Sequence, residues 1–249
     1  MEAFAAGDSM EFDQTMKGKL IGVGLGPGDP ELMTLKAHRL IAGARVVAYP
    51  ALENGESFAR SIAAQSIPPN ADEIIINIPM TVERGPAQAA YDKGAADIAV
   101  QLDKGENVVV LCEGDPFFYG SFMYLFSRLA DEYETDIVPG VTSVTTCAAV
   151  AKRPLTARND VLAIIPGPLR SDDMRTRIEA AGAVAIMKVG RHLGRIRALL
   201  ADMGLSENAT YVARASLPSQ QVLPLERAPD PAPYFSMILI TKGEDPWLS

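Results

Sequence analysis

The 249-residue sequence has few of the residues that build metal sites and disulfide frameworks. It contains two cysteines, Cys112 and Cys147, and two histidines, His38 and His192, without a spaced set of ligands. Because a structural zinc site needs four such ligands at short spacing, we expect no metal centre. Cys112 lies in an apolar run and Cys147 among small residues, which favours free thiols in a reducing compartment over a disulfide.

Basic charge and long apolar runs are also scarce. The net charge is −8, with 23 Lys and Arg against 31 Asp and Glu, so the electrostatic footprint of a nucleic-acid-binding protein is missing. No apolar run approaches the ~20 residues of a membrane span, and the first residues lack the apolar segment of a signal peptide. We therefore expect a cytoplasmic protein that binds neither nucleic acid nor membranes, with residues 1–18 as a disordered leader.

The stretch 107–121, NVVVLCEGDPFFYGS, carries the clearest candidate site. Residues 108–112 show no alternation of apolar and polar side chains, which is typical of a strand buried on both faces of a parallel sheet. Pro116 then forces a turn. Glu113 and Asp115 are therefore expected at the carboxyl end of this strand, where open α/β sheets bind ligands. The alternative is a tight turn whose acids only cap the next helix.

A second loop of the same form, Gly28-Asp29-Pro30, follows another apolar strand at 20–24. A glycine-rich turn between strand and helix suggests dinucleotide binding, but the third glycine of that motif is here Pro27, and no Gly-Lys-Ser/Thr follows as in phosphate loops. Its two prolines remove amide donors, which suits a neutral or cationic ligand better than a phosphate. We expect both Gly-Asp-Pro loops, 28–30 and 114–116, to meet at one end of one sheet.

Apolar periodicity predicts two α/β halves. The predicted strands of the first half are 20–24, 44–48, 73–78, 108–112 and 136–138. After the helix breaker Pro139-Gly140 the alternation restarts, with predicted strands at 161–165, 183–189, 210–213, 220–223 and 234–241. We therefore expect an N-terminal α/β domain over 19–138, a C-terminal α/β domain over 139–249 and a cleft between them.

Several segments resemble, in the same order along the chain, the S-adenosylmethionine-dependent tetrapyrrole methylases. They are GVGLGPGDPELMTLKA (22–37), EGDPFFYGS (113–121), PGVTS (139–143), MKVGRH (187–192) and VARAS (212–216). The resemblance covers almost all of residues 19–242, and this collinearity is more specific than any single motif. It implies the tetrapyrrole methylase fold, with two α/β domains, the cofactor in the cleft between them, and a homodimer.

The resemblance also implies which residues contact the cofactor. S-adenosyl-L-methionine, with S-adenosyl-L-homocysteine as its product, is expected to contact Pro27, Glu113, Gly114, Asp115, Thr142, Ser143, Met187, Ala215 and Thr241. The chemistry is compatible, because the sulfonium and ammonium groups favour carboxylates and carbonyls as neighbours. Apolar walls with backbone donors and acceptors suit the adenine.

Within this family, the segments EGDPFFYGSFMYLF, MKVGRH and APYFSMILIT are similar to the members that methylate C-20 of precorrin-2 in cobalamin biosynthesis. Uroporphyrinogen-III methylases usually carry Asp, Gly and Phe-Gly-Arg where this chain has Pro50, Glu113 and 119–121, so their proposed catalytic residues are not carried over. Glu113 and Tyr119 are the candidates for removing the meso proton; a packing or cofactor-positioning role is the alternative for both. The candidates for binding the carboxylates of precorrin-2 are Lys188, Arg191 and Arg153.

Two further hypotheses remain open. In the first, the protein is a methylase of the same fold that acts on cobalt-factor II, on another corrinoid carbon or on diphthamide. In the second, it is a non-catalytic protein that binds a tetrapyrrole or nucleotide without turnover. Formation of S-adenosylhomocysteine that depends on precorrin-2 distinguishes catalysis from binding. A comparison of metal-free with cobalt-loaded substrate distinguishes the two C-20 methylases.

Overall fold

A computed structural model describes residues 16–53, 55–79 and 84–242. Residues 1–15 of the predicted leader lie outside these ranges. Gly18, at the end of that leader, is buried, and its N–H donates to the carbonyl of Leu102 at 2.7 Å. Lys17, whose ammonium lies 4.6 Å from the centre of the Tyr133 ring, also contacts the fold. None of the helices in the described ranges combines the length and the apolar character that crossing a membrane requires.

The first sheet consists of five parallel strands in the order β3-β2-β4-β1-β5. Their bounds are β1 Leu20–Gly24, β2 Val46–Leu52, β3 Asp72–Ile78, β4 Val108–Cys112 and β5 Thr135–Val138. The helices of this half are α1 Leu35–Ala42, α2 Phe58–Ala63, α3 Arg84–Leu102 and α4 Phe122–Leu129. Every residue of β1 and β4, the central strands, is buried, as their unbroken apolar runs predict.

Helices cover both faces of this sheet. Val109 of β4 packs with Ile41 of α1 and Ile62 of α2 on one face. Val110, which points the other way, packs with Phe122 of α4 on the opposite face, together with α3. Full burial of side chains of this size stabilises the fold by roughly 1.5–3 kcal/mol each. The result is a three-layer unit whose carboxyl strand ends point in one direction.

The second sheet is mixed, in the order β6-β7-β10-β8-β9. Its strands are β6 Leu162–Pro166, β7 Ala183–Met187, β8 Ala209–Ala213, β9 Gln221–Pro224 and β10 Ser236–Thr241, and its helices are α5 Ser143–Val150, α6 Ser171–Ala180 and α7 Leu193–Asp202. Strand β10 runs antiparallel to β7 and to β8. It therefore begins at the edge of the sheet where β7 and β8 end.

Helix α5 packs on this second sheet rather than on the first. Val144 and Cys147 of α5 are buried together with Ala185 of β7 and Leu239 of β10, while α6 and α7 cover the other face. This packing supports the assignment of the chain after Val138 to a second domain. The boundary between residues 138 and 139 itself stays a prediction.

Three glycines bring the ends of β1, β4 and β5 into backbone contact. The N–H of Gly114 donates to the Gly26 carbonyl at 2.7 Å, and the Gly26 N–H donates back at 3.2 Å. A Cβ on Gly140 would lie 2.0 Å from the carbonyl oxygen of Gly114, and one on Gly24 would lie 2.6 Å from the amide nitrogen of Gly140. At Gly24 and Gly140 no side chain fits into this glycine junction, formed by Gly24, Gly114 and Gly140, whereas a Cβ on Gly114 would meet nothing within 4 Å. The two Gly-Asp-Pro loops thus meet at one end of the sheet.

Replacement of Gly140 by alanine tests the junction. We expect Gly140→Ala to destabilise the protein by about 1–3 kcal/mol, because the new methyl group overpacks a backbone contact. That loss lowers the thermal midpoint by several degrees, as differential scanning calorimetry would measure. Gly43→Ala is the control, since its Cβ would meet only the Arg39 carbonyl oxygen, at 3.5 Å. Equal midpoints for both variants and the wild type would contradict the junction.

Candidate active site

A cleft lies between the carboxyl end of the first sheet and the edge of the second sheet at which β7 and β8 end. The first half contributes Pro27, Phe58 and residues from the turn 113–121 that follows β4. The second half contributes residues from the start of α5 and from the segments 187–188, 214–217 and 234–237. Loops distant in sequence therefore converge on one cleft.

Most of the predicted site residues line this cleft. They are Pro27, Glu113, Gly114, Asp115, Tyr119, Thr142, Ser143, Met187, Lys188 and Ala215. The alternative in which Glu113 and Asp115 only cap the following helix is not what the structure shows, because Ser121 stands at the N-cap of α4. Both acids lie instead in the turn that forms the cleft.

Thr241 lies away from the cleft. Because β10 is antiparallel to its neighbours, its first residues, Ser236 and Met237, lie at the cleft. Thr241 pairs with Ala183 at the opposite edge, about 13 Å along the strand from Met237. The cofactor contact of Thr241, which only the family resemblance implied, is therefore not part of the cleft that the structure describes.

Arg153 and Arg191 do not line the cleft either. The Arg153 Nε donates to the Thr241 hydroxyl at 3.0 Å, and its Nη1 donates to the Thr210 hydroxyl at 2.8 Å. Arg153 therefore bridges β8 and β10 at the far edge of the sheet. Arg191 is exposed, in the short 3₁₀ turn Gly190–His192 that follows β7. Neither is kept as a candidate ligand for substrate carboxylates.

Asp115 ties the glycine junction together. Its Oδ1 accepts the backbone N–H of Phe117 at 2.9 Å, and its Oδ2 accepts that of Gly140 at 3.0 Å. Hydrogen bonds from amides to a carboxylate are stronger than those to a neutral acceptor. Asp115 thus fixes the turn after β4 and links it to the chain after β5.

Glu113 is a half-buried acid at the cleft. Burial raises the pKa of its carboxyl group, while the backbone N–H groups of Glu113 and Ala59 partly offset this by hydrogen bonding to the carboxylate. Among the described residues no lysine or arginine forms an ion pair with it. A carboxyl group whose pKa is raised in a cleft is a candidate for proton transfer.

Helix α2 contributes to the cleft without having been predicted. It spans six residues, and Ser57 caps it by accepting the N–H of Arg60. Its first turn supplies the Ala59 N–H that bonds to Glu113 and the ring of Phe58, which lies 4.7 Å from the ring of Phe235. The signal in the sequence is the capping serine before a short apolar segment, which is weak in so short a helix.

The second sheet provides apolar walls. Met187, Ala215, Met237 and Cys147 are buried where they line the cleft. Burial raises the pKa of the Cys147 thiol to about 12, so this side chain stays protonated and uncharged. The hydroxyl of Ser143 forms no hydrogen bond with other described residues and is free for a ligand. Acids on one side and apolar walls on the other suit a ligand that is both cationic and aromatic.

Two α/β domains with a cleft of polar and apolar residues between them define the class of fold to which the protein belongs. The sequence profile of the Tetrapyrrole (Corrin/Porphyrin) Methylases matches residues 19–229. The chain therefore belongs to the tetrapyrrole methylase family, as the motifs predicted.

Curated relatives match most of the chain. It is 41% identical over 236 residues to the cobalamin biosynthesis protein CobIJ of Mycobacterium tuberculosis, covering 91% of this chain but 46% of that protein. The chain thus spans about half the length of the CobIJ proteins. It is 38% identical to a precorrin-2 C(20)-methyltransferase of Sinorhizobium, covering 92% of this chain and 97% of that protein. A cobalt-precorrin-2 C(20)-methyltransferase of Salmonella typhimurium is 32% identical, covering 91% and 98%.

Solved structures share the fold. The cobalt precorrin-4 methyltransferase CbiF superposes with a TM-score of 0.65 at 23% identity, covering 90% of this chain and 94% of that chain. The uroporphyrin-III C-methyltransferase of Thermus thermophilus superposes with a TM-score of 0.63 at 26% identity, covering 89% and 97%. These likenesses confirm the predicted fold class of two α/β domains.

We expect Asp115→Ala to lower stability by about 2 kcal/mol, because two backbone N–H groups lose a charged acceptor. The displaced turn should also weaken S-adenosylhomocysteine binding in isothermal titration calorimetry. Asp160→Ala is the control: that carboxylate accepts the Ala157 N–H at 3.1 Å on an exposed loop and does not line the cleft. Wild-type stability and affinity in Asp115→Ala would show that Asp115 neither holds the junction nor supports the site.

Proposed function

We propose that the protein transfers the methyl group of S-adenosylmethionine to the C-20 meso carbon of precorrin-2 in cobalamin biosynthesis. The observation that carries the proposal is 38% identity to the Sinorhizobium precorrin-2 C(20)-methyltransferase over nearly the full length of both chains. The second candidate substrate is the cobalt-containing form of the same ring, favoured by the Salmonella relative at 32% identity. The part of the longer CobIJ proteins that this chain does not match is left out of the proposal.

The residues of the cleft fit S-adenosylmethionine. Met187 and Ala215 provide apolar walls for the adenine, and the hydroxyl of Ser143 is free to bond to a polar group of the ligand. Glu113 and Asp115 supply negative charge where a sulfonium and an ammonium need it. When bound, the group supplies an electrophilic methyl on its sulfonium.

The protein acts mainly by placing the reacting carbon. Precorrin-2 is an electron-rich ring, so its meso carbon needs alignment with the methyl group more than activation. Once the new carbon–carbon bond has formed, C-20 must lose its hydrogen as a proton. Glu113 is our candidate acceptor, because burial gives it a pKa above that of an ordinary carboxyl group. Tyr119, exposed at the rim of the cleft, is the alternative.

We also infer a cytoplasmic homodimer, since the family resemblance implies a dimer and cysteine usage favours a reducing compartment. Light scattering coupled to size exclusion tests the dimer by its mass.

Methyl transfer is tested directly with S-adenosylmethionine labelled at the methyl carbon. Incubation with precorrin-2 should place the label at C-20 in the NMR spectrum of the product, with S-adenosylhomocysteine formed in equal amount. A parallel incubation with the cobalt-loaded ring ranks the two candidate substrates. Label at C-2, C-7 or C-17 would contradict the C-20 assignment, and absence of turnover with both rings would favour the non-catalytic binder.

The pH dependence of the variant Glu113→Gln tests the proposed base. Glu113 accepts a proton only when ionised, so the wild-type rate should rise with pH through the raised pKa of this group. The amide cannot ionise, so in Glu113→Gln that limb of the profile should vanish and kcat should fall by about 10²–10⁴-fold.

Tyr119→Phe is the matched variant, and S-adenosylhomocysteine affinity is measured for both. An unchanged acid limb in Glu113→Gln, with loss of kcat in Tyr119→Phe, would transfer the role to Tyr119. Weakened S-adenosylhomocysteine binding with an unchanged kcat would assign Glu113 to cofactor positioning instead.

A further inference from the structure

We propose that Lys188 and Arg214 form a two-pronged cationic clamp for carboxylate side chains on opposite parts of the ring substrate. This inference rests on the proposed function and adds to it the residues that recognise the substrate's charge. It replaces two of the three cations expected from the sequence, Arg153 and Arg191, with Arg214.

The topology of the second sheet places the two cations at the same edge of the sheet. Lys188 follows Met187, the last residue of β7, and Arg214 follows Ala213, the last residue of β8. Both strands pair antiparallel with β10, so both end at the same edge. With one strand between them, the two ends are about 10 Å apart. Both residues line the cleft, and strand ends this far apart suit separate carboxylates of one broad ligand.

The backbone at both positions is held in an unfavourable conformation. Lys188 has φ +56° and Arg214 has φ +50°, in the left-handed region that residues with a Cβ rarely adopt. At Arg214 the N–H donates to the Phe235 carbonyl at 2.8 Å, and the carbonyl accepts the Leu217 N–H at 3.0 Å. Such backbone outliers persist only where surrounding contacts fix them, and they concentrate at ligand sites.

The backbone of Lys188 is fixed by the chain after β6. The N–H of Gly167 donates to the Met187 carbonyl at 2.7 Å. A Cβ on Gly167 would lie 2.6 Å from the Lys188 carbonyl oxygen, so the two backbones are in close contact. The Lys188 ammonium lies 5.4 Å from the centre of the Tyr119 ring, a cation–π contact that orients it. This cation is therefore positioned before any ligand binds.

Neither cation is neutralised by a carboxylate of the described residues. Among the described residues no carboxylate forms an ion pair with Lys188 or Arg214. The two acids of the cleft have other contacts, since Asp115 accepts two backbone N–H groups and Glu113 lies against the N–H of Ala59. In a chain of net charge −8, two unpaired cations at one cleft attract an anionic ligand.

Binding of a stable, fully carboxylated porphyrin tests the clamp without turnover. Fluorescence titration compares this porphyrin with its methyl ester on the wild type, Lys188→Gln, Arg214→Gln and the double variant. We expect each single variant to bind the acid form about threefold more weakly and the double variant about tenfold more weakly. The ester should bind all proteins equally, and the salt dependence of the acid form should flatten in the double variant.

The double variant Lys36→Gln with Arg39→Gln is the control. It removes the same amount of charge, but these two residues are exposed on α1 and do not line the cleft. The conservative pair Lys188→Arg and Arg214→Lys should retain porphyrin binding, which separates loss of charge from loss of folding. Equal affinity of the wild type and the double variant for the acid form would overturn the clamp. The same loss in the Lys36/Arg39 control would overturn it too.

A second carboxylate source is the amino-acid part of S-adenosylmethionine. Calorimetry with S-adenosylhomocysteine distinguishes this carboxylate from those of the ring substrate. If the cations bind the ring, the affinity of every variant for S-adenosylhomocysteine should lie within twofold of the wild-type value. A tenfold loss there, with porphyrin binding intact, would assign the cations to the cofactor and overturn the proposal. If porphyrin binding follows the charge as expected but no methyl transfer occurs, the clamp is supported and the proposed function fails.

Discussion

Backbone contact among Gly24, Gly114 and Gly140 is the constraint on which the cleft depends. Each glycine follows or ends a strand of the first sheet, and a Cβ on Gly24 or on Gly140 would enter space that a backbone atom of another of the three occupies. Asp115 completes the contact by accepting the Gly140 N–H. Three strand ends are thereby fixed as one surface. Since α5 begins at Ser143 and packs on the second sheet, the same contact also sets where the second half starts.

The two halves supply different chemistry to the cleft. The first sheet brings Glu113 and Asp115 at the carboxyl end of its central strand, and the second brings buried apolar strand ends together with Lys188 and Arg214. The proposed function, with a cationic cosubstrate beside a polyanionic ring, requires this separation, because acids and cations mixed at one point would neutralise each other. Aromatic rings from both halves, Phe58 and Phe235, close the rim between them.

The parts of the site on parallel strands could be predicted from the sequence. An unbroken apolar run followed by a Gly-Asp-Pro turn places Glu113 and Asp115 at the cleft through rules that involve only neighbouring residues. Thr241 could not be placed this way, because the reversed direction of β10 is set by pairing with β7 and β8. The position of Arg153 could not be predicted either, because the hydroxyl groups that it binds are 57 and 88 residues away in sequence. Helix α2 was missed because six residues carry too little periodicity.

A crystal structure with S-adenosylhomocysteine would show whether the glycine junction forms the floor of the cofactor site. We expect the ligand in the cleft, with its adenine against Met187 and Ala215 and its amino-acid part beside residues 113–115, while Gly24, Gly114 and Gly140 remain in contact. A ligand bound at any other surface, or a cleft that closes without it, would show that the junction does not serve cofactor binding.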